Sequence, residues 1–168
     1  AGRQPLHTAY VPADRFGAGT AGEGGEPALA LLDEHADRVA GVVADADIIR
    51  RVKAKLGDEP VEDLRIDFED GYVGREGPWD GAAEDGHVRG AAHALAESQQ
   101  SETAPPFTGI RIKSFERASR VRGVRTLTGF VATLAECRGS LDRFVGTLPK
   151  VSSTEQGAAF WCAAVAIA

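Results

Sequence analysis

Four short runs rich in β-branched and aromatic residues divide this chain, and longer stretches with helical spacing lie between them. The runs are His7–Val11 (HTAYV), Leu64–Phe68 (LRIDF), Gly109–Ile112 (GIRI) and Phe144–Leu148 (FVGTL). Pro12 stops the first, Gly71 the second and Pro149 the fourth, while Pro105 and Pro106 stand just before the third. Proline removes a backbone donor and glycine relaxes the chain, so each run is held to strand length. The intervening stretches carry apolar residues three and four apart. Leu29, Leu32 and Ala36 share one face over 28–36, and Ile48, Ile49, Val52 and Leu56 share another over 46–56. Val88, Ala91, Ala92 and Leu95 do so over 82–97, and Leu127, Val131, Leu134 and Ala135 over 124–138. Strands alternating with helices predict an α/β chain of parallel (β/α) units.

In such a fold the loops after the strands build the functional site. Two segments answer that description, the glycine-rich residues 17–25 (GAGTAGEGG) and residues 71–87. Both are expected as loops on the active-site side. Residues 17–22 also match the spacing GxGxxG of dinucleotide-binding turns. That mechanism needs the glycines directly between strand and helix, with a pyrophosphate at the helix N-terminus. Here PADRF intervenes, and Glu23 and Glu26 would repel the phosphates, so a plain loop is the better account.

The densest chemistry lies at the end of the second strand, in Asp67-Phe68-Glu69-Asp70-Gly71. Three carboxylates so close together repel one another unless something positive compensates, and a hydrated Mg²⁺ would do so. A solvated acidic turn is the alternative, with Asp70-Gly71 as ordinary turn residues. Strand alternation would send Asp67 and Glu69 to one side and Ile66 and Phe68 to the other. On the third strand Arg111 and Lys113 share a face. Arg111 could grip a keto-acid carboxylate with two parallel hydrogen bonds, or pair with Asp67 or Glu69, and the two roles are compatible. Lys150 follows the fourth strand directly, where it would steady an anionic substrate or neutralise the acidic cluster.

Other classes fall away. A formal net charge of −6 disfavours nucleic acid as a partner. No window approaches the ~20 apolar residues of a membrane span. Neither GxSxG nor HExxH occurs, and His7, His35, His87 and His93 are scattered, as surface or capping histidines would be. Cys137 and Cys162 lack metal-ligand spacing and read as two free, mostly buried thiols, which fits the cytoplasm. Residues 1–7 show no apolar core of a signal peptide.

Taken together, the strand-end motifs resemble the citrate lyase β-subunit / HpcH–HpaI aldolase family of phosphoenolpyruvate/pyruvate-type TIM barrels, in its uncharacterised actinobacterial aldolase-like branch. Tyr10-Val11-Pro12-Ala13-Asp14-Arg15 is similar to that family's opening stretch, and Asp67-Phe68-Glu69-Asp70-Gly71 to its acidic motif. Ile110-Arg111-Ile112-Lys113 and Leu148-Pro149-Lys150-Val151 match its third and fourth in order and spacing. The resemblance implies a Mg²⁺-dependent carbon–carbon lyase or aldolase acting through an enolate on a keto acid or CoA thioester. It implies catalytic roles for Glu69 and Asp70, substrate binding by Arg111, Lys113 and Lys150, and Asp67, Glu69 and Asp70 around the metal's waters. Lys113 stands where the family more often has Asn. The direct metal ligands would be a Glu and an Asp on a fifth and a sixth strand, so none is expected in these four.

A complete barrel takes eight strands and about 250 residues, against four strands in 168 residues here. The expectation is therefore the N-terminal part, residues 1–168, of one barrel domain, inactive alone. The absence of methionine and the apolar residues 158–168, which read as a buried helix, agree with this. Two open sheet edges call for a partner, either the missing half or a homo-oligomer. A half-barrel serving only as an assembly module is the alternative.

Overall fold

The breakers set the strand lengths, and the strands form at the four runs. The computed structural model describes residues 2–72 and 81–167. Strands β1 (Ala9–Pro12), β2 (Asp63–Asp67), β3 (Phe107–Arg111) and β4 (Phe144–Thr147) form one sheet in the order β1-β2-β3-β4. All three pairings are parallel. Four helices separate β1 from β2: α1 (Thr20–Glu23), α2 (Gly25–Glu34), α3 (Ala36–Val42) and α4 (Ala46–Asp58). Then α5 (Gly81–Gln100), α6 (Arg120–Glu136) and α7 (Thr154–Ile167) each follow a strand.

A serial strand order means that every crossover steps one strand in the same direction. Crossovers of one hand then lay their helices on one face of the sheet. This is the winding of half a (β/α)8 barrel. A dinucleotide-binding sheet reverses its order at a switch point, and these strands contain no reversal. The α/β class and the four parallel units are thus as expected.

The helix-facing side of the sheet supplies the core. Leu64, Ile66 and Phe68 alternate along and beyond β2, and Ile110 and Ile112 do the same on β3. They pack on Val88, Ala91, Ala92 and Leu95 of α5 and on Leu127, Phe130 and Leu134 of α6. Phe130 stacks on Phe144 with centroids 5.8 Å apart and meets Phe68 edge-on at 6.3 Å. Each such side chain contributes about 1.5–3 kcal/mol through burial. Alternation sends Asp63, Arg65, Asp67, Gly109 and Arg111 to the opposite face. That face therefore carries the charge.

Several expectations give way here. The glycine-rich segment is not an open loop on the site side, because it turns helical at Thr20 and again at Gly25. A Cβ on Gly25 would lie 2.7 Å from the Leu56 carbonyl and 3.1 Å from Pro60, so glycine there permits close packing on the chain entering β2. The segment lines a cleft of about 760 Å³ with Pro60 and Pro105, at the amino ends of the strands. In the 71–87 segment, residues 73–80 lie outside the described residues, and 81–87 already belong to α5. Helix α7 is not buried. Phe160, Ala163 and Ile167 touch the core while Trp161 is 71% exposed and Val165 60%, because the described chain covers only one side of it. Cys162 on this helix is exposed and Cys137 half-buried, and both are free. Among the described residues no helix is long and apolar enough to cross a membrane.

Candidate functional site

Asp67 closes β2, and its carboxylate is shaped first by its own backbone. Oδ1 accepts the Glu69 N–H at 2.9 Å and Oδ2 accepts the Gly71 N–H at 2.9 Å. These bonds coil the chain into a turn as the strand ends. Gly71 allows it, since a Cβ there would lie 2.5 Å from Oδ2. Arg111, directly across in register on β3, donates from Nε to Oδ1 at 2.7 Å and from Nη2 to Oδ2 at 2.5 Å. Burial opposes ionisation of Asp67, but the Arg111 hydrogen bonds and the two backbone N–H groups outweigh it and hold the carboxyl below its usual range.

Arg111 is fixed on a second side. Its guanidinium lies 4.7 Å from the centroid of the Tyr10 ring on β1, a cation–π contact. Asp67 takes the Nε edge, so the Nη1 edge points away from the pair. The side chain is 22% exposed, against 2% for Asp67. Among the described residues no hydrogen-bond partner meets Nη1, and an arginine held at one edge in this way can receive a second, planar carboxylate at the other.

Glu69 and Asp70 leave the strand and meet Lys150, which donates 2.7 Å hydrogen bonds to Glu69 Oε1 and Asp70 Oδ1. These bonds, Asp70's first, raise the lysine's pKa. Lys150 adopts a left-handed φ of 54°, which turns its side chain back over the acidic turn. The expected pairing of Asp67 and Glu69 on one strand face does not occur. The strand ends at Asp67, and the two carboxylates take different cations.

Lys113 likewise parts from Arg111, because β3 ends at Arg111 and alternation persists only through Ile112. Its ammonium donates to the Phe68 carbonyl at 2.7 Å and to Glu84 Oε2 at 2.9 Å. Glu84, buried in the first turn of α5, also accepts from Thr126 at 2.7 Å and pairs with Arg122 at 3.2 Å. Nothing in the local sequence marks Glu84, since an acidic residue early in a helix is ordinarily a solvated one. The arrangement locks α5 and α6 to the strand ends. Sequence reasoning also missed Tyr10, Arg65 and Tyr72. Arg65 is buried in an ion pair with Asp63, whose other oxygen accepts from Thr8 at 2.8 Å. Tyr72 meets His87 Nδ1 at 2.6 Å, and burial, then Glu84 and Asp14, pushes its hydroxyl up to about 12. His93 Nδ1 lies 3.0 Å from Cys137 Sγ. Three of the four histidines thus face a side-chain partner, His7 lying 3.8 Å from Glu62. His7 and His93 are exposed and His35 sits between α2 and α3 at a cap position, as surface or capping histidines would.

The carboxylates present do not fit a divalent cation. Both oxygens of Asp67 are bound by Arg111 and backbone N–H groups, and an ammonium already bridges Glu69 and Asp70. Mg²⁺ beside that ammonium would meet like charge. No group of three or more His, Cys, Asp or Glu side chains among the described residues is placed to hold a metal. With Asp67, Arg111, Glu69, Asp70 and Lys150 all ionised, the cluster keeps one surplus negative charge, so an anion would depend on the Nη1 edge of Arg111.

Comparison with known proteins returns a family model described as Domain of unknown function (DUF6986), which matches residues 1–167. No curated protein matches. No solved structure matches.

Proposed function

We propose, from the premise that this chain belongs to the DUF6986 family, that it forms the substrate-carboxylate edge of a carbon–carbon lyase or aldolase. The substrate class is a keto acid or a CoA thioester, cleaved or joined through an enolate. One observation carries the reading: Arg111 is clamped by Asp67 on one edge and stacked on Tyr10, and among the described residues no hydrogen-bond partner meets its Nη1. A fork held in this way has little freedom to lose when it binds a carboxylate. Its charge is in place before negative charge develops on the enolate oxygen. Glu69 and Asp70 are the candidates for moving the proton, with Lys150 holding them toward the strand ends. The magnesium that the resemblance implies finds no ligand set in these carboxylates, so no step is assigned to it. The proposed setting is the cytoplasm, which suits the two free thiols.

Oxalate, a planar dicarboxylate that mimics a keto-acid enolate, is the test. At ten times its Kd it should stabilise the chain by about 1.4 kcal/mol, a rise in Tm of roughly 3–6 °C for a chain of this size. The rise should vanish in Arg111→Ala. No rise in the parent chain would overturn the reading.

A second reading, a half-barrel module that self-associates, has one observation in its favour. The exposed edge of β4 runs alongside a cleft of about 350 Å³ lined by Phe144, Val145, Phe160, Trp161 and Ile167. A second copy related by a two-fold axis could set its β1 edge beside this β4 edge, each closing the other's sheet. Light scattering that returns a monomer at micromolar concentration would exclude it.

A further inference from the structure

Cys137 and His93 lie far from the strand-end site in sequence and serve none of its chemistry. His93 is on α5, with its ring exposed, and Cys137 caps the carboxyl end of α6. Sγ stands 3.0 Å from Nδ1 and 4.0 Å from Nε2, so the sulfur addresses Nδ1. The neighbouring backbone is fixed: Gln100 donates to the Cys137 carbonyl at 2.9 Å, and Gln99 donates to Ser140 O at 3.0 Å while its Oε1 accepts the Ser140 N–H at 2.8 Å. These clamps join the ends of α5 and α6 and hold thiol and imidazole in register. A thiol beside a positioned base, at the surface and outside any disulfide, is the arrangement that makes cysteine a nucleophile.

We propose that Cys137 and His93 form a peroxide-reactive thiol–imidazole pair, a modification site separate from the strand-end cluster. With its own proton on Nε2, His93 accepts the thiol proton at Nδ1 as the sulfur attacks one peroxide oxygen. The S–O bond forms and the O–O bond breaks. Sulfur is oxidised by two electrons to the sulfenic acid, and the leaving hydroxide recovers the proton from His93 as water. The reaction consumes one hydrogen peroxide and needs no other reductant or oxidant.

Cys162 provides the control within the same molecule, since it too is free and is more exposed. The full chain is treated with hydrogen peroxide in the presence of a sulfenic-acid trap such as dimedone, and each cysteine-containing peptide is quantified over time. Cys137 should be trapped at least about tenfold faster than Cys162, a modest gain for a positioned base. In His93→Gln the Cys137 rate should fall to that of Cys162. Iodoacetamide alkylation should show the same ratio and the same loss, and circular dichroism would verify that the exposed His93 variant is folded. Equal rates at the two cysteines, or a Cys137 rate unchanged in His93→Gln, would overturn the proposal.

Discussion

Asp67 and Arg111 face each other in register on adjacent parallel strands and share two hydrogen bonds, of 2.7 and 2.5 Å, at the carboxyl end of the sheet. Removing the arginine leaves a carboxylate that is almost wholly buried and has, among the described residues, two backbone N–H partners. Arg111→Ala should therefore cost about 3 kcal/mol, as is usual when one member of a buried pair is lost. A lower urea midpoint with an unchanged slope would record it. A loss below about 0.5 kcal/mol, the level of an exposed pair, would mean that the pair contributes no more than one.

Lys150 separates backbone strain from charge pairing. Its φ of 54° is costly for any residue with a Cβ, while its side chain is 53% exposed where it pairs with Glu69 and Asp70. Lys150→Ala keeps the strain and loses the pairs. Lys150→Gly loses the pairs and relieves the strain. The glycine variant should be the more stable of the two by about 1 kcal/mol, and thermal unfolding in parallel would rank them.

Magnesium chloride at millimolar concentration should leave the Tm of this chain unchanged, in contrast to oxalate. An ammonium already spans Glu69 and Asp70, and Asp67 has no oxygen to offer. A rise in Tm with magnesium alone would show that Lys150 yields its place to the metal.

Stability should fall with acid over a defined window. Hydrogen bonds from Arg3 and then Lys55 lower Glu59 from 4.5 to about 2, and Asp67 is lowered as well. A carboxylate depressed in the folded state contributes its full stabilisation above its unfolded pKa and loses it as pH falls through the folded one. For Glu59 the loss should run from about pH 4.5 down to about pH 2. Urea midpoints at a series of pH values should decline through that range, and Glu59→Gln should flatten part of the decline.

Gly109→Ala should prevent folding or come close to it. A Cβ there would lie 1.9 Å from the Val145 carbonyl oxygen, within the ladder joining β3 to β4. The two strands cannot part without losing hydrogen bonds, so a cost of at least about 3 kcal/mol is expected. Near-UV circular dichroism would detect the lost packing around Phe144.

Strands were readable in the sequence because breakers bound them: β4 (Phe144–Thr147) begins where its run begins and ends one residue before it. Helices with an apolar stripe were equally readable, as over 82–97 within α5. Short α1 and α3 were not, since neither is long enough to display a period, and the glycines of 17–25 imitate a loop although one of them is there for contact. At the site, local spacing marked Asp67, Glu69, Asp70, Arg111 and Lys150 but could not say which cation meets which carboxylate. That depends on where each strand stops. Ile112 still alternates into the core, but two residues past the end of β3 the pattern lapses, and Lys113 goes to Glu84 on α5 instead of joining Arg111. Glu84, Tyr10 and His93 acquire their partners only through tertiary packing, and no spacing in the chain anticipates it.

The serial order of the sheet bears on how the chain is made. Each strand needs only the strand synthesised before it, and no unit waits for a later segment to be inserted between its neighbours. A ribosome delivering the chain from its N-terminus therefore always presents the growing edge with its next partner. Assembly can keep pace with translation, with β1 bound by β2 before β3 has emerged.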